Sequence, residues 1–215
     1  ERCIDRSTVR ILAFLNIAAR GMTHADGEQT AAELDPRVAA AVAGAYPDLV
    51  VGIKTAHYWT SKPWDEEHRP WTSVDRALEA AERCGRPVMV DFWPRPPERP
   101  YADLILKKLR PGDIHTHVFA QQFPIVQPDG KLFDHLFRAR ERGVRFDLGH
   151  GAGSFWFRNA VPALEQGFPP DTISTDFHLG NVNGPVVSMQ RTMSKCLAMG
   201  MPLRDVVERS TAAPA

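Results

Sequence analysis

Cysteine is scarce in this 215-residue sequence: Cys3, Cys84 and Cys196 are its only three, and they lie far apart. They form neither a CxxC pair nor a disulfide framework, which argues against a disulfide-stapled secreted scaffold and suits a reducing cytoplasm. Net charge is missing too. Lys plus Arg and Asp plus Glu both count 26, so electrostatics give no reason to expect nucleic acid or an anionic membrane as partner. No apolar run reaches the roughly 18 residues of a transmembrane helix. The start, Glu1-Arg2-Cys3-Ile4-Asp5, carries neither an initiator Met nor a signal-peptide pattern, and so abrupt a beginning is expected of a truncated chain. Hairpin signals, low-complexity stretches and inter-domain linkers are also lacking.

What is present is ordinary globular material, 43% hydrophobic and 24% charged, enough to bury a full core in one domain spanning 1–215. Short apolar runs at 9–17, 49–54, 87–92, 113–119, 144–148 and 172–175 alternate with longer amphipathic stretches. The runs are too brief for helices and read as buried strands. Between them stand helix signals. Asp35-Pro36 reads as an N-cap with Pro at the first helical position, Val38, Val42 and Ala43 lining one face. Thr72 and Asp75 resemble a capping box, and Gly85-Arg86-Pro87 ends the helix that follows. Leu132, Phe133, Leu136 and Phe137 form another stripe, closed by Gly143. Met189, Met193 and Cys196 or Leu197 form a later one, closed by Gly200, in a helix expected to begin at Pro185. Six strand–helix alternations argue for parallel βαβ units. The Pro-rich stretch 94–100 reads as a rigid loop.

The chemistry lies at the strand ends. Lys54, Asp91, His117, His150 and Asp176 each close an apolar run, and the intervals between them fit one βα unit, since eight such units fill about 250 residues of a barrel. Catalytic groups of barrels sit where strands end on the C-terminal face. Two histidines with carboxylates suit Zn²⁺ or a similar divalent ion. A Lys ending an apolar strand is costly unless neutralised or paired; one resolution is carboxylation of Lys54 by CO₂, giving an anion able to bridge two metals. A single polar residue at a strand end is more often a cap, but five at this spacing are hard to dismiss.

Gly52-Ile53-Lys54, Gly112-Asp113-Ile114-His115-Thr116-His117, Phe146-Asp147-Leu148-Gly149-His150-Gly151 and Ile173-Ser174-Thr175-Asp176 resemble the amidohydrolase/deacetylase family, the dihydroorotase-like metallohydrolases of the amidohydrolase superfamily. The resemblance implies a TIM (β/α)8 barrel with one or two divalent metal ions, Zn foremost, hydrolysing amide, N-acetyl or cyclic amide bonds through a metal-bound hydroxide. It implies that Lys54 is the carboxylated bridging lysine of strand four, His117 the strand-six ligand, and Asp176 the strand-eight residue that binds metal and shuttles the proton. His150 is implied to face the substrate, a small-molecule amide, and to help polarise its carbonyl.

Two departures stand out. Asp91 occupies the strand-five position where the family has His, so it either substitutes as a metal ligand or leaves the second metal weak or absent. The family's first-strand His-x-His has no counterpart. The only His-x-His, at His115 and His117, falls at strand six, with His115 expected as a hydrogen-bonded core histidine rather than a second ligand. The run at 9–17 then becomes strand three, the barrel is partial with strands three to eight present, and the first two strands and the C-terminal β-domain are expected to be missing. An open barrel exposes strand edges, so the piece is expected to be poorly soluble or to form a homo-oligomer, and alone it is expected to be inactive.

Further residues carry two readings. His57 and His178 follow Lys54 and Asp176 closely enough to touch substrate. Arg95 and Arg99 either hold a substrate carboxylate or lie solvated. Trp59, Trp64, Trp71, Trp93 and Trp156 all follow strand ends, as an apolar rim or as packing beneath loops. His24, His68 and His135 are expected at the surface. Competing readings of the whole are another metal-dependent barrel, an isomerase or aldolase with Lys54 as a Schiff-base amine, and a non-catalytic fragment.

Overall fold

The computed structural model describes residues 4–22 and 27–215; Cys3 and His24 lie outside them. The chain divides into two compact units, Glu1–Phe92 and Trp93–Ala215. No helix among the described residues is long and apolar enough to cross a membrane.

In the first unit three parallel strands, β1 (Ala13–Asn16), β2 (Val50–Thr55) and β3 (Val88–Val90), alternate with helices α1 (Pro36–Ala45) and α2 (Thr72–Cys84). The register sets Asn16 beside Lys54 and Lys54 beside Met89. Local chemistry explains the helix ends. Asp35 accepts from the amides of Arg37 and Val38, and Pro36 opens α1 at no cost in hydrogen bonds. Gly85, left-handed at φ 66°, closes α2, with the amide of Arg86 reaching back to the Ala81 carbonyl. Ile53, Ala77, Ala80, Ala81, Val88 and Val90 form the core between sheet and helices.

Three expectations fail here. β1 begins at Ala13, and Val9, Ile11 and Leu12 are exposed. α1 buries Pro36, Ala39 and Ala43 and leaves Val38 and Val42 outward, because the small side chains let the helix approach its neighbours closely. Thr72 is already helical; Trp71 stands at the N-cap without a side-chain bond, so the capping box does not form.

The second unit opens with α3 (Tyr101–Asp103), which continues as a π turn over Leu104–Lys108. Strands β4 (Ile114–His115) and β5 (Arg145–Phe146) pair in parallel around α4 (Asp134–Glu141), and α5 (Phe157–Glu165), α6 (Met189–Ala198) and α7 (Leu203–Ser210) follow. The run at 172–175 forms no named strand, yet its carbonyls work as one. Leu148, His150 and Gly151 donate their amides to Thr172, Ser174 and Thr175, beside a parallel bridge from Asp147 to Thr172. Phe146 and Phe168 meet edge-on at 5.0 Å between ring centres, and the Arg140 guanidinium covers Phe168 at 3.8 Å; each buried ring contributes about 1.5–3 kcal/mol. α6 begins at Met189 and not at Pro185, because the Ser188 hydroxyl supplies the N-cap by accepting from the Arg191 amide.

Candidate active site

Within the first unit, polar groups gather at the C-terminal ends of the strands. Lys54 is half-buried near the end of β2, and Asp91 follows β3, buried, its amide bonded to the Thr55 carbonyl. His57 adopts a left-handed φ of 59° with an exposed ring whose Nε2 lies 3.8 Å from Asp91 Oδ2. The sequence did not point to Glu28. Only 4% exposed, it accepts on Oε1 from Asn16 Nδ2 at 2.8 Å and from the Ala56 amide at 2.7 Å. It therefore ties the turn after β1 to the end of β2. Burial pushes its carboxyl up to about 7; the two hydrogen bonds and Lys54 oppose this, and the charge of Asp91 adds to it.

A raised carboxyl has a definite pH signature. The folded state holds the Glu28 proton more tightly than the unfolded chain, so the stabilisation is full below the ordinary glutamate value of 4.5 and is lost as pH rises through about 7. Urea unfolding of metal-free protein should lose about 3 kcal/mol across that window. Glu28→Gln keeps an oxygen acceptor for Asn16 and Ala56 and should flatten the slope. Equal slopes in the two proteins would remove Glu28 as its source.

Within the second unit, the loop at 94–100 is a tight turn closed by paired backbone bonds between Arg95 and Arg99. Arg95 is half-buried. Arg99 is fully buried, its Nε donating to the Trp93 carbonyl at 3.0 Å, so it is not the solvated residue of the second reading.

β4 carries His115 into the core, where it was expected, ringed by Tyr101, Phe123 and Phe146. The chain then leaves the strand: His117 is left-handed at φ 59° and 4% exposed. Its Nδ1 lies 2.6 Å from the Gly149 carbonyl. A carbonyl only accepts, so Nδ1 carries the proton and the ring's lone pair is fixed on Nε2, the orientation typical of a metal-ligating histidine. Gly149 makes this approach possible. At φ 50°, a Cβ there would stand 2.5 Å from Thr116 Oγ1 and 2.6 Å from His117 Nδ1. Gly149→Ala should cost about 2–4 kcal/mol from left-handed strain and overpacking and displace the His117 ring. Urea unfolding and the His117 ring resonances would report both; an unmoved ring would show the contact to be incidental.

The next residues build an unexpected pair. His150 is buried, stacked on Phe155 at 16°, with Nδ1 2.8 Å from the Gly151 carbonyl. Its Nε2 lies 2.6 Å from Nζ of Lys195 on α6, and the same ammonium donates to the Pro185 carbonyl at 2.7 Å. Burial, aided by the Lys195 charge, holds the imidazole below its ordinary value, and burial also lowers Lys195.

Asp176 is exposed and left-handed at φ 47°. Its carboxylate lies against Gly151, where a Cβ would meet Oδ2 at 2.8 Å. Asn181, fully buried, fastens this loop: its Nδ2 donates to the Asp176 carbonyl at 2.6 Å and its Oδ1 accepts from the His178 amide at 2.9 Å. His178 is exposed, and its Nδ1 accepts from the Gly180 amide; the chain turns here, so alternation along a strand does not govern where it faces. Among the described residues, no three His, Cys, Asp or Glu side chains gather in the geometry of a metal site. The donor chemistry that does fit a divalent ion is that of His117, a buried imidazole oriented through Nδ1.

The tryptophans divide between the two readings. Trp59 is buried, stacked on His68 at 3.6 Å, and Trp71 packs on Phe92. Trp93 and Trp156 are exposed. His68 and His135 are not surface residues: stacking on Trp59 and on Phe133 half-buries them.

No family model matches the chain. Curated relatives do. A deacetylase of Brucella anthropi is 34% identical over all of this chain and 53% of its own length. One of Agrobacterium fabrum is 32% identical over all of the chain and 52% of its own length. One of Enterococcus faecalis is 30% identical over 98% of the chain and 56% of its own. Among solved structures, an adenine deaminase superposes with a TM-score of 0.87 at 29% identity, over 100% of this chain and 57% of that one. A dihydroorotase superposes at 0.83 and 31%, over 99% and 58%. The chain spans a little over half the length of the curated relatives it matches. Along its whole length the chain is thus similar to part of these deacetylases, and in fold to part of an adenine deaminase and a dihydroorotase, which are members of the amidohydrolase superfamily.

Proposed function

We propose that the protein hydrolyses the C–N bond of a small amide, an N-acetyl group foremost, with one or two divalent ions of the Zn class. The observation that carries this reading is the similarity of the whole chain to about half the length of deacetylases, at 34% identity in one of them, in a chain whose His117 is oriented as a ligand. The six successive strand segments correspond in this reading to strands three to eight of a TIM barrel.

His117 through Nε2, Lys54 as its carboxylate adduct, Asp91 and Asp176 are the residues proposed to hold metal, taken from their motif positions. A divalent ion, when bound, lowers the pKa of coordinated water toward about 7 and draws charge from the substrate carbonyl. Asp176, exposed on a loop fastened by Asn181, takes the proton lost by water and delivers it to the departing nitrogen. The bond broken is C–N and the bond formed is C–O, giving a carboxylate and an amine. Lys54 reacts with CO₂ only as the neutral amine. We place the reaction in the cytoplasm, in keeping with the three scattered cysteines.

The test is turnover of a panel of N-acetylated amines by the full protein, with Zn²⁺ or Mn²⁺, with and without bicarbonate, and after chelation. Chelator-sensitive amide cleavage that rises with bicarbonate is expected. Trapping of a carbonyl substrate on Lys54 by borohydride, with no amide cleaved under any metal, would replace this reading by Schiff-base chemistry.

A further inference from the structure

We propose that Lys195 is the cation that meets an oxygen of the substrate in the second unit, and that His150 is the positioning residue that holds it there. The inference rests on the reading of this strand-end cluster as the substrate site. A lysine on an exposed helix face ordinarily samples many rotamers. Here the ammonium is fixed by two acceptors, His150 Nε2 at 2.6 Å and the Pro185 carbonyl at 2.7 Å. Both nitrogens of His150 are thereby engaged. Nδ1–H faces the Gly151 carbonyl, so Nε2 is an acceptor, and the ring has no N–H left to offer a substrate.

An ammonium has three hydrogens. Two serve His150 and Pro185, and the third belongs to a side chain that is itself half-exposed. His150 cannot move to follow a ligand, because it is buried and stacked on Phe155 at 4.8 Å. A rigid, buried base pinning a half-exposed cation is the arrangement that presents a fixed positive charge, and its natural partner is a carboxylate or a carbonyl oxygen gaining negative charge. The polarising role implied for His150 is thus supplied by Lys195, in the last turn of α6. The depressed imidazole agrees with this assignment, since only the neutral ring accepts from Lys195.

The probe is acetate, titrated into metal-free full-length protein carrying ¹⁵N-labelled histidine, so that the result does not depend on hydrolysis. Before addition, His150 should show a protonated Nδ1 and an accepting Nε2; acetate should shift Nε2 and leave Nδ1 in place. Lys195→Met should weaken acetate binding by about tenfold or more, the loss of one charge-assisted hydrogen bond. Lys195→Arg should recover part of it. In the metal-loaded enzyme, Lys195→Met should lower kcat more than it raises KM. If Lys195→Met binds acetate like the parent at equal thermal stability, the proposal is overturned. Should that variant fail to fold, an unshifted Nε2 in the parent overturns it by itself. A positive acetate result beside absent amide turnover would sink the proposed reaction and leave Lys195 as an anion-binding residue.

Discussion

Asp176→Asn should lower amide hydrolysis by about 10²- to 10⁴-fold, the range spanned by a lost general acid–base, while leaving the fold intact. The choice of Asn is dictated by the backbone. Asp176 sits at φ 47°, in the left-handed region, where Asn and Asp are the best tolerated residues after Gly. Its carbonyl, which accepts from Asn181 Nδ2 at 2.6 Å, is unaffected by the exchange, and its exposed side chain leaves no cavity. Asp176→Ala would add about 1 kcal/mol of left-handed strain and confound chemistry with folding. Turnover, thermal midpoint and metal content should be measured on the same samples. Lost turnover with metal retained identifies the proton carrier; lost turnover with lost metal assigns Asp176 to the ligand set; a parental rate removes it from both.

The scaffold was more legible in the sequence than the contacts that arm it, for a reason of range. The placing of Lys54 and Asp91 near strand ends was readable because apolar runs and their last residues are local patterns; His117 and His150 instead lie beyond β4 and β5, which stop at His115 and Phe146. The Asp35-Pro36 cap and the Gly85 stop are local for the same reason, each satisfied by backbone groups within one helical turn. The face of α1 was misread because Val38 and Val42 are larger than Ala39 and Ala43, and size suggested burial where close approach required small residues. Glu28, Lys195 and Asn181 left no such trace. Glu28 meets Ala56 28 residues away, and Lys195 meets His150 at a separation of 45. A glutamate in a turn and a lysine on a helix read as solvated until the fold brings an acceptor or donor to them. Asn181 acts locally, but its sequence, Asn181-Val182-Asn183-Gly184, is equally that of a plain turn, and nothing in it reveals that the side chain is fully buried.

Asp147→Ala should cost about 3 kcal/mol or more, a large share of the roughly 5–15 kcal/mol that holds a domain together. The carboxylate is buried and accepts three hydroxyls: Thr116 Oγ1 and Ser174 Oγ on Oδ2, each at 2.7 Å, and Thr172 Oγ1 on Oδ1 at 2.6 Å. Removing it strands all three, at about 1 kcal/mol or more apiece, and leaves a cavity besides. Asp147→Asn keeps one oxygen acceptor and should cost less. These hydroxyls come from the segment entering His117 and from the segment that runs to Asp176, so the same carboxylate aligns the approach to both. Loosening it should therefore appear first in hydrogen exchange at the amides of His150 and Gly151, which donate to Ser174 and Thr175, and in the His117–Gly149 contact. Helices α1 and α2 of the first unit should keep their protection. Uniform loss across both units would mean that Asp147 supports global stability alone; selective loss around His150 and Gly151 would make it the residue that joins the fold of this unit to its chemistry.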